Sequence, residues 1–170
     1  MSSRALTPKI LPAATVLKVL QHLLKEGIPV RNMRKIAETL ADQGARSQEP
    51  DVLTSSVRVA LGRSIVQDIC GSSPEIEVMT LDPELEQILN NANQGGAVGG
   101  VEPGLVARIH ESLPKHAQDR EAVGGSAILL VAPGIRPWLA RMLRGVRSLH
   151  VLAYNEIPED RQIKMTATVG

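Results

Sequence analysis

The chain has 170 residues, enough for one large domain or two small ones, and its 43% apolar and 22% charged composition fits a globular protein rather than a disordered or collagen-like one. Nineteen basic against eighteen acidic side chains leave a formal charge of +1, without the basic excess of a dedicated nucleic-acid binder. With no Phe, one Trp and one Tyr, the core must be built from Leu, Ile, Val, Ala and Met, and no aromatic ladder exists for stacking bases.

Leu17, Leu20 and Leu24, with Val16 and Leu23 beside them, predict a first helix that Gly27 ends. After Pro29, the residues Met33, Ile36, Ala37 and Leu40 recur at helical spacing, while Arg31, Arg34, Lys35, Glu38 and Asp42 fill the other face and Gly44 gives a stop. A third helix is expected from about Asp51 to Cys70, its apolar stripe running through Leu53, Val57, Ala60, Leu61, Ile65 and Ile69.

Beyond Gly71-Ser72-Ser73-Pro74 the period changes to two, and Glu75 to Leu81 alternates as a half-buried strand does. Asp82 is an N-cap and Pro83 a first helical residue; the helix Pro83 to Ala92 should bury Leu85, Ile88, Leu89 and Ala92. The glycine-rich stretch Asn93 to Gly100 reads as a loop. It follows a helix, which is the wrong context for a dinucleotide-binding turn. A helix opens at Pro103, burying Leu105, Ile109 and Leu113, and is expected to kink or end near Pro114.

The uninterrupted run Ala127 to Val131 has the pattern of a strand buried on both faces. A helix from Ile135 to Val146 and strands Leu149 to Tyr154 and Ile163 to Val169 complete the order β-α-α-β-α-β-β. The fold class is therefore α+β or α/β. A small helical subdomain over residues 1–72 precedes a compact α/β subdomain over residues 73–170, with a mixed sheet of about four strands, at least one parallel pair and a hairpin-like end. The two parts differ in charge: residues 1–72 carry a net +4 and residues 73–170 a net −3, which favours docking between them or head-to-tail association of copies.

No stretch approaches the ~18–20 apolar residues that cross a bilayer, and no secretory signal is visible at the start. Cys70 cannot form an internal disulfide, and His22, His110, His116 and His150 are scattered without metal-ligand spacing, so no metal or cofactor is expected. Nucleophile motifs are absent, and a catalytic constellation is not expected. Val131-Ala132-Pro133-Gly134 runs from a strand into a helix start, where an anion can rest on free N–H groups; this keeps a small ligand-binding enzyme as one alternative. Arg31, Arg34, Lys35, Arg58 and Arg63 on the helical half keep a helix-turn-helix DNA-binding regulator as another. Arg136, Arg141, Arg144 and Arg147 follow one another with no acid among them, suited either to an acidic partner or to pairing with Glu156, Glu159 and Asp160.

Three stretches carry a resemblance that covers nearly the whole chain: Leu24-Lys25-Glu26-Gly27-Ile28-Pro29-Val30-Arg31-Asn32-Met33-Arg34-Lys35-Ile36-Ala37-Glu38-Thr39-Leu40-Ala41; Asp51-Val52-Leu53-Thr54 with Val57-Arg58-Val59-Ala60-Leu61-Gly62-Arg63; and Leu149-His150-Val151-Leu152-Ala153-Tyr154-Asn155-Glu156-Ile157-Pro158. Leu81-Asp82-Pro83-Glu84-Leu85-Glu86 and Glu102-Pro103-Gly104-Leu105 lie between them in the same order. Together they resemble the cytoplasmic C-terminal region of the FlhA family of flagellar export gates and its injectisome paralogues, with the ending more flagellar in character.

The resemblance implies a place on the cytoplasmic side of the bacterial inner membrane, as the last two of four cytoplasmic subdomains of an integral membrane parent. The transmembrane helices and first two subdomains lie outside this chain, which is expected to be a piece of a longer protein. The family forms a nine-subunit ring, engages the export ATPase complex and its stalk, and receives chaperones and substrates mainly through the subdomains absent here. It implies no enzyme activity, no cofactor and no nucleic acid. On this reading Arg31, Arg34, Arg58 and Arg63, expected on exposed helix faces, are candidates for contacts between subunits, and Arg141 and Arg144 for contacts with partners.

Overall fold

The computed structural model describes residues 11–94 and 103–170; of the expected loop Asn93 to Gly100, Asn93 and Gln94 instead extend the preceding helix and the rest lies outside the described residues. The chain divides into two compact units that meet between Val66 and Gln67.

The first unit is helical: α1 (Ala13–Lys25), α2 (Met33–Gln43), α3 (Pro50–Ala60) and the opening of α4 (Gly62–Cys70). Its core is Val19 and Leu23, Ile36 and Leu40, Leu53 and Val57, and Ile65 and Val66. The end of α1 shows how local sequence sets the geometry. Gly27 takes φ +75°, the left-handed conformation that only glycine adopts freely. There its N–H donates to the Leu24 carbonyl (3.0 Å) and that of Ile28 to the Leu23 carbonyl (2.9 Å), closing a Schellman turn over the buried side chains Leu23 and Ile28. At the start of α2, Asn32 accepts the Lys35 N–H at 3.1 Å.

Two expectations for this unit are corrected. The span Asp51 to Cys70 is two helices, because Leu61 takes φ −94° and ψ 6° and Gly62, a poor helix former, opens the second. On α1 the buried stripe is Val19 and Leu23, while Leu17 and Leu24 are 56% and 59% exposed. Apolar residues line two faces of this helix, and periodicity alone does not say which face is covered.

The second unit continues from α4 into β1 (Glu75–Leu81), α5 (Pro83–Gln94), α6 (Pro103–Ala122), β2 (Ala127–Val131), α7 (Arg136–Met142), β3 (Leu149–Ala153), a short 3-10 turn (Tyr154–Glu156) and β4 (Gln162–Val169). The sheet order is β3-β2-β1-β4, and all three pairings are parallel. The sheet has the expected four strands but is not mixed, and there is no hairpin at its end. β3 and β4 occupy opposite edges, joined by eight residues, Tyr154 to Arg161. Such a segment reaches about 27 Å, enough to return to the start of the sheet. A strand's alternation looks the same whichever way its neighbour runs, so the local pattern could not exclude a hairpin.

One sheet face, with Met79, Leu81, Leu129, Val131, Val151 and Val169, forms a single core with Leu85 and Leu89 of α5, Ile109 and Leu113 of α6, Leu139 of α7 and Leu143 just after it. β2 is buried along its whole length, as its unbroken apolar run requires. β4 departs from simple alternation. Met165 pairs with Val78 and Ala167 with Met79, so Thr166 is an extra residue. The bulge puts Ala167 and Val169 on the core face and leaves Ile163 and Met165 46% and 68% exposed. Ile88 is likewise exposed rather than buried. α6 runs through Pro114 instead of ending there, and α7 stops at Met142, short of the expected Val146.

Asp82 caps α5 as its sequence predicts, its Oδ1 accepting the N–H groups of Glu84 at 2.9 Å and Leu85 at 3.4 Å. Its own N–H donates to the Val169 carbonyl at 2.8 Å, tying the helix start to the end of β4. Asp82→Ala should lower the unfolding free energy by about 1 kcal/mol in urea denaturation, with the m-value unchanged.

Candidate interaction surface

The turn Ala132-Pro133-Gly134-Ile135 links β2 to α7 at the carboxyl end of the sheet, where parallel α/β folds commonly hold ligands. Here the chain fills the position itself. Glu86, on α5, accepts the Ala132 N–H at 3.1 Å, and the Tyr154 hydroxyl donates to both oxygens of the same carboxylate at 2.6 and 2.8 Å. Asn93 donates to the Gly134 carbonyl at 2.9 Å. Pro133 has no N–H to offer, and α7 is only seven residues long. Burial, and then the hydrogen bond and charge of Glu86, push the Tyr154 phenol above its ordinary value, so it remains a neutral donor. The N–H of Ala132 in this turn is therefore held by an internal carboxylate.

Beneath this turn lies an ion pair that the sequence placed on the surface. Arg136, counted in the basic series of the helix, is 1% exposed, and Glu156 is 3% exposed. Arg136 Nε stands 3.6 Å from Glu156 Oε2, its Nη1 donates to the Val151 carbonyl at 3.3 Å, and Glu156 Oε1 accepts the Ala153 N–H at 3.1 Å. The pair thus fastens α7 to the end of β3. Pairing with a downstream acid was one reading of this series, and Glu156 is that acid.

The rest of the series faces solvent. Arg141 sits in the last turn of α7, and Arg144 and Arg147 follow it in the turn before β3, all three exposed. Arg144 lies beyond the helix, contrary to the expectation of a shared helical face. Ser148 closes this turn at φ +63°, an uncommon conformation for a residue with a side chain, and its hydroxyl donates to Glu121 on α6 at 2.6 Å. A basic, irregular segment is thereby fixed to the rigid α/β core.

In the first unit Arg31, Arg34 and Arg63 are exposed, and Arg34 makes an i,i+4 ion pair with Glu38 at 3.3 Å. Arg58 is corrected: its side chain is 3% exposed and meets Glu26 at 3.5 Å, linking α3 to α1. It serves the fold of its own unit, not an exposed face. Nearby, His22 Nδ1 lies 3.3 Å from the Thr54 hydroxyl and 3.8 Å from Asp51. Both neighbours address one ring nitrogen, so the three groups do not form a nucleophile relay. Burial raises the Cys70 thiol above its usual value, opposed by Arg161, which favours the unreactive protonated form. Among the described residues no group of His, Cys, Asp and Glu has the arrangement of a metal site, and no helix is long and apolar enough to cross a membrane.

Nothing local in the sequence marks Glu86, Tyr154 and Asn93 as acting together. The one available signal was the chain's single tyrosine directly after a buried strand, which needs a partner for its hydroxyl.

Residues 3–162 match the FHIPEP family. This chain belongs to that family. It is 43% identical over 97% of its length to the flagellar biosynthesis protein FlhA of Salmonella typhimurium, of which it spans 24%. Among solved structures it resembles the Chlamydia pneumoniae CdsV and CdsO protein complex, with a TM-score of 0.87 and 23% identity over 99% of this chain and 50% of that one. It also resembles the nonameric EscV cytosolic domain from the type III secretion system, with a TM-score of 0.73 and 24% identity over 92% of this chain and 47% of that one. The chain thus spans about a quarter of the length of the FHIPEP-family relative it matches and half of each solved domain. The relatives that share the family are flagellar biosynthesis and flagellar export/assembly proteins.

Proposed function

We propose that this chain is a docking and ring-building portion of a flagellar type III export gate, on the cytoplasmic side of the bacterial inner membrane, and that it works by binding rather than bond-making. The observation that carries the reading is 43% identity to a flagellar FlhA across 97% of the chain. In it, residues 1–72 correspond to the third cytoplasmic subdomain and residues 73–170 to the fourth. The nonameric EscV domain supports self-assembly into a ring of nine, and the CdsV and CdsO complex supports a partner from the export ATPase complex, its stalk included. Export chaperones and substrates are engaged mainly by parts of the gate outside this chain.

Arg31, Arg34 and Arg63 are the cations of the subunit contact, and Arg141 and Arg144, exposed beside Arg147, meet the acidic surface of a partner. Burial of Arg58 removes one phosphate contact from the DNA-binding alternative, and nucleic acid has no part in the proposed function. The test is charge reversal of the exposed pair. Arg31→Glu with Arg34→Glu should abolish swimming in soft agar when placed in the chromosomal gene. Thermal stability should hold, because the exposed Arg34–Glu38 pair contributes only about 0.3 kcal/mol. Unchanged swimming would count against the assignment.

A further inference from the structure

β4 closes one edge of the sheet, and its backbone faces two ways. Along a strand, successive residues turn their N–H and C=O groups to opposite sides. The Gln162 N–H donates to the Pro74 carbonyl at 2.7 Å, on the β1 side, so Ile163 and Met165 turn theirs outward. Past the bulge, the Val169 carbonyl accepts the Asp82 N–H, which turns Thr168 outward as well. Gln162 to Thr166 and Thr168 are exposed, and among the described residues no further strand adjoins this edge. The side chains also mark the edge as unfinished. Ile163 and Met165 share a sheet face with Ile76 and Val78, their register partners on β1. Ile76 and Val78 are each 1% exposed, so the apolar face runs one strand beyond its cover.

Charge narrows what this edge can take. Lys164 is the one charged residue of β4. Its register partner is Glu77, but that carboxylate is held by Arg120 of α6. Lys164 is exposed and has no ion pair among the described residues. Outward N–H and C=O groups at strand spacing recognise an extended backbone, and side chains at alternate positions set its sequence. A second copy paired through the same edge would bring its own Lys164 near this one, and like charges across strands repel. We propose that β4 is a docking edge for an extended segment of another protein, one that carries an acidic residue between two apolar ones. The apolar pair continues the face of Ile163 and Met165, and the acid lies beside Lys164 on the other face. The contact needs neither the ring nor the export gate, so the purified chain alone decides it.

The probe is the peptide acetyl-Ser-Thr-Val-Glu-Val-Thr-Ser-amide, titrated into the 170-residue chain and followed by backbone amide NMR. At saturation, exchange of the outward Ile163 and Met165 amides should slow about tenfold, while the Gln162 and Lys164 amides, which face β1, change little. Replacing the Glu of the peptide by Lys should weaken binding about fivefold, and Lys164→Glu in the chain should reverse that preference. Met165→Pro removes an outward N–H without breaking a bond to β1. The chain should then keep its melting temperature and lose about tenfold in affinity. If this proline unfolds the chain, the charge exchange at Lys164 still decides. No exchange protection at about 10 mM peptide, or protection without a charge preference, overturns the proposal. Protection that appears without peptide as the chain is concentrated overturns it too, since the occupant would then be a second copy.

Discussion

Arg136→Ala is expected to destabilise the second unit by about 3–5 kcal/mol, the usual cost of removing one partner from a buried ion pair. The reason lies with what remains: Glu156, 3% exposed, would keep its buried charge after losing the guanidinium that faces it. Urea denaturation checks the size of the loss. A second variant separates charge from shape. Replacing both partners, Arg136→Met with Glu156→Leu, should cost clearly less than Arg136→Ala alone, because no unpaired charge is left and apolar packing replaces the pair. Equal losses in the two variants would show that the Val151 carbonyl and Ala153 N–H, which Arg136 and Glu156 also hold, matter more than the charges.

Arg58→Ala carries the second-largest expected effect, about 2 kcal/mol of stability in the helical unit, below the full cost of a buried pair. It is smaller because Glu26, at 22% side-chain exposure, can recover water once its partner is gone. The measurement is thermal unfolding together with sedimentation. A residue inside its own unit lowers the melting temperature and leaves association unchanged in what remains folded. An interface residue does the reverse. The contrast with Arg31 and Arg34 is direct, since those side chains are exposed and their reversal should spare stability.

Arg58 also shows where reading the sequence stops. Its place on α3, one residue after buried Val57, was legible, but its partner lies 32 positions away on α1 and nothing local announces it. For Arg136, pairing with Glu156 was one of the readings of the sequence, but the burial of both side chains was not. Elements whose determinants are local were legible: the Asp82 cap, the Gly27 stop, the unbroken apolar β2 and the alternation of β1. Strand direction and neighbour order were not, because side-chain alternation is blind to both. α1 was legible as a helix yet not as to its covered face, since leucines and valines line both sides. That ambiguity now has content, for the stripe first assigned to the core is the one left exposed. The basic segment ending in Arg141, Arg144 and Arg147 was legible as a charge series. Its split into one buried anchor and an exposed remainder was not.

The pairing of β1 with β4 joins residues 75–81 to residues 162–169. No strand of this sheet can pair with a sequence neighbour through a tight turn, so every pairing must wait for a long loop to close. During synthesis the ribosome must release nearly ninety residues after β1 before its second neighbour exists. In that interval one edge of β1 has unmatched backbone groups, while the helical unit, with mostly local contacts, is free to form early. Order of appearance on the ribosome, and not stability alone, then decides how long this sheet is open to mispairing, and refolding of the second unit should be the slow phase of the whole chain.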